Sequence, residues 1–320
     1  MIYKYNGATV APLKGKKPVL IRYTIPPITG QCGDDVYWSL KDGLLTISGS
    51  GDMWGWSNTT YPSFYKYNVS IRKVVIEEGI TNIGAYAFRG LSRVTQVELP
   101  DGMTEIGSHA FFGVTSLNTI NIPSSVRTMN NYSFYGCTNV STVNITDLDA
   151  WATMSCGTLG SPLQNNAILY VNGERPTEYT FADGTTSIPN FCFWNQSTMA
   201  TINLPDTVTR IGSYAFGKTS ITDINTPNVK TIGVNAFQNC YSLTDIALPS
   251  VTSIDNYALY MTVSCAVYDF SGCTTVPVLG TDAITFSTTI SHYIYVPAAL
   301  YDEWIASTNW AALADYIVAK

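Results

Sequence analysis

Charge is what this sequence has least of. Only 12 % of its 320 residues are Asp, Glu, Lys or Arg, about half the usual share. Polar surface must come from Thr, Ser and Asn instead, a composition that suits a β-rich or repetitive fold better than a helical one. Histidine occurs twice, at His109 and His292. No HExxH, GxSxG, GxxxxGK[ST] or dinucleotide fingerprint is present, and no EF-hand or repeat-type calcium motif. The seven cysteines include no CxxC pair, which removes the common zinc and thioredoxin-like arrangements. Their odd number excludes a fully paired intramolecular disulfide framework, and buried thiols acting as small apolar side chains are expected. No apolar run reaches the roughly 18 residues of a membrane span. The opening stretch, MIYKYNGATVAPLKGKKPVLI, has no apolar segment of signal-peptide length. The chain is therefore expected to stay where it is made, or to be exported by another route.

The sparse charge is unevenly spread. Residues 1–29 carry Lys4, Lys14, Lys16, Lys17 and Arg22 and no acid, against a formal net charge of −6 for the whole chain. The remaining body is thus acidic, and its field repels phosphate, so nucleic acid is not an expected partner. The basic arm either meets an acidic partner or is a solvated terminal strand.

What the sequence has is repetition. Ile83-Gly84-Ala85-Tyr86-Ala87-Phe88 returns as Ile106-Gly107-Ser108-His109-Ala110-Phe111, 23 residues later. Met129–Phe134 follows after another 23, Ile188–Phe193 after 59, Ile211–Phe216 after 23, Ile232–Phe237 after 21 and Ile254–Leu259 after 22. A second phrase trails the first: Val97-Glu98-Leu99-Pro100, Ile120-Asn121-Ile122-Pro123, Ile202-Asn203-Leu204-Pro205 and Ile246-Ala247-Leu248-Pro249. Alternating apolar residues closed by a turn, at a period of some 20–29 residues, are the signature of a solenoid. One repeat cannot bury its own apolar face. Stacked repeats share a core, and their strands pair with the next coil. Ile and Leu point inward from short strands, Pro ends each strand, and Gly84, Gly107, Gly212 and Gly233 allow a tight corner. Phe is expected to stack on Phe of the next coil.

The combined pattern, with Ile-Gly-x-x-Ala-Phe leading into Leu and the Ile-x-Ile/Leu-Pro strand, resembles the BspA-type (Treponema pallidum-like) leucine-rich repeat family from about Ile71 to Thr275. Gly30–Trp56 and Tyr293–Val318 resemble that family's flanking segments. Met129-Asn130 in place of Ile-Gly, Pro189 in place of Gly and Leu259 in place of Phe are departures. The resemblance implies a leucine-rich-repeat solenoid: short parallel β-strands stacked coil on coil with short helical or turn segments, a β-rich N-terminal cap and a helical C-terminal cap. It also implies a bacterial surface or secreted protein that adheres to host matrix or to other cells.

The expected organisation is a basic arm at 1–29, a β-rich cap at 30–70, repeats at 71–275 and a C-terminal strand and helical cap at 276–320. An enlarged irregular coil at about 146–187 stays within the stack, with Leu169-Tyr170-Val171 as a strand and Asn172-Gly173 as a turn. Pro297 starts the terminal helix, with Leu300, Trp304, Ile305, Trp310, Leu313 and Ile317 on one face.

Chemistry is scarce. His109 fills a variable slot of the repeat, His292 precedes a strand, and Gly49–Gly55 reads as a tight turn. The acid pairs Asp34-Asp35 and Glu77-Glu78 have no spacing suited to glycoside hydrolysis. No catalytic residue, cofactor or metal is expected. What remains is the outward row of the second strand: Gln96, Glu98, Thr119, Asn121, Thr142, Asn144, Thr201, Asn203, Asp223, Asn225 and Asp245. Hydroxyl and amide groups about 4.8 Å apart suit a protein strand or a glycan; they also satisfy one another and water. The aromatics Trp54, Trp56, Tyr61, Phe64, Tyr65 and Tyr67 serve the cap or stack on sugars. The expected function is non-enzymatic binding or adhesion to a protein or glycan. A phage or prophage structural or receptor-binding component, and an accessory module of a carbohydrate-active enzyme, are the alternatives.

Overall fold

Each repeat folds into one coil with three sides, and hydrogen bonds along the sides join most coils to their neighbours. The computed structural model describes residues 26–320 and the two short strands Tyr3–Tyr5 and Ala8–Val10, which pair antiparallel. Most of the basic arm, including Lys14, Lys16, Lys17 and Arg22, lies outside the described residues.

The first side is a ladder of very short parallel strands: Gly51–Asp52, Ile80–Ile83, Glu105–Ile106, Thr128–Met129 and Ser155–Cys156. It resumes as Ser187–Ile188, Arg210–Ile211, Thr231–Ile232, Ser253–Ile254 and Val278–Leu279. The glycine-rich Gly49–Gly55 stretch is therefore more than a turn, since Gly51–Asp52 forms the first rung. The second side carries the strands of the Ile-x-Ile/Leu-Pro phrase, such as Thr119–Asn121 paired with Thr142–Ile145 and that with Ile168–Val171. Period-2 alternation buries Val97, Ile120, Val143 and Ile202 and turns their neighbours outward.

The third side is the Ile-Gly-x-x-Ala-Phe turn. Alternate amides of one coil donate to carbonyls of the next: Tyr86 N to Ser108 O at 2.9 Å, Phe88 N to Ala110 O at 2.8 Å and Gly90 N to Phe112 O at 2.7 Å. The same triplet recurs from His109, Phe191, Tyr214 and Asn235. It depends on a left-handed residue: Tyr86, His109, Tyr132, Phe191, Tyr214, Asn235 and Tyr257 all have φ between 55° and 60°. That conformation costs about 1–2 kcal/mol for a residue with a Cβ, offset by the intercoil bond and by the packing beneath it. Beneath it the phenylalanines stack from coil to coil: Phe64–Phe88, Phe88–Phe111 and Phe111–Phe134 have ring centroids 5.9, 5.3 and 5.1 Å apart. Gly84 and Gly107 serve close approach. A Cβ on Gly84 would sit 1.7 Å from the Trp54 carbonyl oxygen, and one on Gly107 would sit 2.5 Å from that of Ile83.

All three sides change at the enlarged coil. The first ladder stops at Ser155–Cys156 and restarts at Ser187–Ile188; the second stops at Ile168–Val171 and restarts at Glu178–Thr180. A short helix, Leu148–Thr153, is capped by the Asp147 carboxylate accepting from Ala150 N. Asn172 and Gly173, with φ of 51° and 90°, turn the chain back so that Val171 bridges Glu174. Side chains replace the missing rungs. The buried Gln196 amide accepts from Leu169 N at 2.9 Å and donates to Ala167 O at 3.1 Å. Trp151 Nε1 donates to Cys192 O, Asn190 Nδ2 to Cys156 O, and the Tyr179 hydroxyl to Asp149 Oδ1. One apolar core runs through the coil from Cys32 to Ile317.

The ends are closed differently. At the N-terminal end, Ile28–Gln31, Val36–Lys41 and Leu44–Gly49 form antiparallel hairpins before Leu44–Gly49 pairs in parallel with Lys73–Ile76. Trp38 packs edge-on against Phe64 and donates to Ser63 Oγ. At the other end, Pro297 precedes the 3-10 turn Ala298–Leu300 and the helix Tyr301–Ala306. Trp304 and Trp310 are fully buried and both meet Phe270. The helical face stops short of Ile317, because Ile317–Ala319 is a strand paired with Tyr293–Val296.

Candidate functional site

The outward row of the second side is one line of positions but several separate sheets. Gln96 and Glu98 belong to the sheet of the N-terminal cap, opposite Lys73 and Val75, and Glu98 pairs with Lys73. Thr119 and Asn121 lie in register with Thr142 and Asn144, which continue to Ile168 and Tyr170. Asn144 Nδ2 donates to Asn121 Oδ1 at 2.9 Å, so part of this polar capacity is spent within the row. Thr201 and Asn203 stand opposite Glu178 and Thr180, with Asn203 Nδ2 donating to Thr180 Oγ1. Asp245 continues to Val267 and Tyr293, while its neighbour Ala247 leads to Asp269 and Tyr295.

The row lapses at Asp223 and Asn225, which are exposed but lie in no strand. This coil is two residues shorter than the 23-residue norm. In it, Thr226 occupies the place of the usual Ile or Leu, and its buried hydroxyl donates to the Ala247 carbonyl that a ladder amide would otherwise use. The residues brought together are thus a central patch, Thr119, Asn121, Thr142 and Asn144, edged by Tyr170. Tyr170, Tyr293 and Tyr295 were not expected on this row, although their strands were recognisable.

A second surface went unremarked in the sequence: the column of left-handed residues on the third side. Tyr86 and His109 stack with centroids 4.5 Å apart and planes 5° from parallel, and His109 meets Tyr132 at 4.9 Å. The Arg89 guanidinium lies over Tyr86 at 5.6 Å and over Phe112 at 5.3 Å. Burial, reinforced by the Arg89 charge, lowers the His109 pKa. Beyond the irregular coil the column resumes with Phe191 on Tyr214 at 4.5 Å, and Trp194 stands edge-on to both. The signal was available, since aligning the repeats puts Tyr, His, Tyr, Phe, Tyr, Asn and Tyr at one position.

The reactive residue types are occupied structurally. His292 is buried, with Nδ1 2.8 Å from Cys265 O and Nε2 accepting from Ser287 N at 3.0 Å. All seven cysteines are free thiols. Burial pushes those of Cys32, Cys137 and Cys156 up to about 12, far from thiolate reactivity. Among the described residues no three His, Cys, Asp or Glu side chains group to hold a metal, and no helix is long and apolar enough to cross a membrane.

Stacked short strands, intercoil turns and a shared core define a repeat solenoid with an extended surface. The chain belongs to the BspA type leucine rich repeat family, matching that region in six copies over residues 59–157 and 169–291. Among solved structures it is similar to a leucine-rich repeat protein from Eubacterium ventriosum, with 17 % identity over 83 % of this chain and 98 % of the other, at a TM-score of 0.38. It is also similar to the pneumococcal vaccine antigen PcpA, with 12 % identity over 93 % and 100 % and a TM-score of 0.42. A leucine rich repeat protein of T. pallidum shares 16 % identity over 77 % and 83 %, at 0.28. No curated protein matches the sequence.

Proposed function

We propose that this chain is a non-catalytic binding protein of a bacterial surface that recognises a protein or glycan partner. Its contact face is the outward row of the second strand side. The observation that carries this reading is the central patch, where Thr119 and Thr142, and Asn121 and Asn144, repeat in register on a rigid sheet beside Tyr170. Repeat solenoids use such continuous faces for recognition, and tyrosine is enriched where proteins make contacts. Membership of a family of surface repeat proteins supports the setting.

The test is an array of extracellular-matrix proteins and glycans probed with the full chain and with a variant carrying Thr119→Ala, Asn121→Ala, Thr142→Ala and Asn144→Ala. These side chains stand outside the core, so the variant is expected to fold with an unchanged circular dichroism spectrum. Binding by the parent that drops about tenfold or more in the variant supports the reading. An array with no bound protein or glycan sinks it, and undiminished binding by the variant moves the contact away from this face.

A further inference from the structure

We propose that the cleft opened by the irregular coil on the third side is a binding site for a neutral hexopyranose ring of a glycan. It is separate from the strand face above and rests on the preceding reading only in taking the chain to be a binding protein.

The cleft exists because the turn column parts here. Tyr132 N still reaches Thr158 O at 2.8 Å, but Phe134 and Phe193 are not stacked on each other as the phenylalanines of neighbouring regular coils are. The space between the two half-columns has a volume of about 340 Å³, inside the range of small-ligand pockets. Tyr135 and Gly136 line it from one half, and Phe191, Trp194 and Tyr214 from the other. Leu159, Gln164 and Asn165 of the irregular coil complete it, with Thr138 at its edge.

Its chemistry selects the ligand. Aromatic side chains dominate the apolar lining, and the polar lining is uncharged. No carboxylate, guanidinium or ammonium is among the lining residues. The neighbouring cation, Lys218, is already held over the Trp194 ring at 4.7 Å and by Asn166 Oδ1 at 2.8 Å. Among the described residues an anionic group would therefore find no free counter-charge in the cleft. Hydrogen-bonding capacity, however, is left over. Gln164 encloses both its Oε1 and its Nε2 without a partner among the described residues, and Trp194, only 6 % exposed, does the same with Nε1. Such groups are costly to leave unpaired. A ligand that enters far enough to pair these enclosed atoms must offer donors and acceptors together and meet the aromatic rings with an apolar face. A pyranose does both, with hydroxyls around its rim and C–H bonds on its faces. A purely aliphatic ligand would leave the amide and the indole N–H unpaired.

The experiment is saturation-transfer difference NMR on the full chain with neutral di- and trisaccharides of glucose, galactose and N-acetylglucosamine. A uronic acid, a sialic acid and a short uncharged peptide serve as comparison probes. The expected result is transfer to ring C–H protons of at least one neutral saccharide. Affinity should fall about tenfold or more in Tyr135→Ala, whose ring is 43 % exposed and so is expendable to the core. It should fall also in Gln164→Leu, which keeps volume and removes the amide. The four-alanine strand-face variant should bind the saccharide like the parent. Absence of neutral-saccharide binding, binding of the acid sugars or the peptide alone, or undiminished binding by both variants overturns the proposal. Array binding that survives Tyr135→Ala while the saccharides fail leaves the strand-face reading standing. Saccharide binding with an empty array does the reverse.

Discussion

The regular coils and the irregular coil hold the same core by opposite means. Between Ile80 and Phe134 the first and third sides repeat the same backbone bonds from coil to coil, although the second-side strands Gln96–Glu98 and Thr119–Asn121 lie in separate sheets, so no single side chain carries a junction. Between Ile145 and Ile188 both strand ladders are interrupted, and the junction passes to a few side chains: Gln196, Trp151, Asn190 and Tyr179. Backbone pairing is indifferent to sequence and is replicated with each coil. Side-chain bridging is specific and concentrated, so it is vulnerable to one substitution, and it leaves gaps that regular stacking would close.

That contrast can be tested by breaking each side of it. The largest loss is expected from Phe111→Ala in the regular stack. It removes a fully buried ring lying between Phe88 and Phe134 and should cost about 3–5 kcal/mol, while guanidinium unfolding stays a single transition. Gln196→Ala should cost somewhat less, about 2–4 kcal/mol, by leaving Leu169 N and Ala167 O buried and unpaired. Its effect on cooperativity should be greater: fluorescence and circular dichroism transitions should separate as the two half-stacks uncouple. If Gln196→Ala unfolds in one transition with less than about 1 kcal/mol lost, the side chains do not carry the junction.

The smallest effect concerns the aromatic column. Burial and Arg89 lower the His109 pKa in the folded chain below its ordinary 6.5, so the unfolded chain takes up the proton first as pH falls. The contribution of neutral His109 is complete above that ordinary value and is lost as pH drops through the lower, folded one. The melting temperature of the parent should therefore fall more between pH 7.5 and 5 than that of His109→Tyr, which matches its neighbours Tyr86 and Tyr132. Parallel pH dependences would show that the stack does not sense the proton.

The same contrast sets what could be read from the sequence. The regular coils were legible because Ile83, Ile106, Ile211 and Ile232 recur at near-constant spacing, and periodicity is a local property. Gln196 was not legible as a clasp, because its partners lie 27 and 29 residues away in a stretch with no period. The outward polar row followed from alternation alone. Its neighbours Tyr170 and Tyr295 did not, since they depend on register across coils of unequal length. Asp223 and Asn225 fit the alternation, but they lie in no strand, in a coil two residues short where Thr226 replaces the usual Ile or Leu. The cleft is the least legible feature of all, being defined by where stacking fails.

The left-handed positions constrain more than the local backbone. Four residues after the first such site, a second recurs at Gly90, Gly113, Gly136, Asn195, Lys218, Asn239 and Met261, with φ between 59° and 77°. Across both sets no Val, Ile or Thr is found, although the chain is rich in all three. Branching at Cβ is excluded there by the conformation itself. The residues that do occur are aromatic, amide, imidazole, flexible-chain or glycine, which are the types that make varied contacts with other molecules. From repeat to repeat this column therefore varies within bounds: the backbone bars β-branched residues and admits aromatic, amide, flexible-chain and glycine types while the coil beneath stays the same.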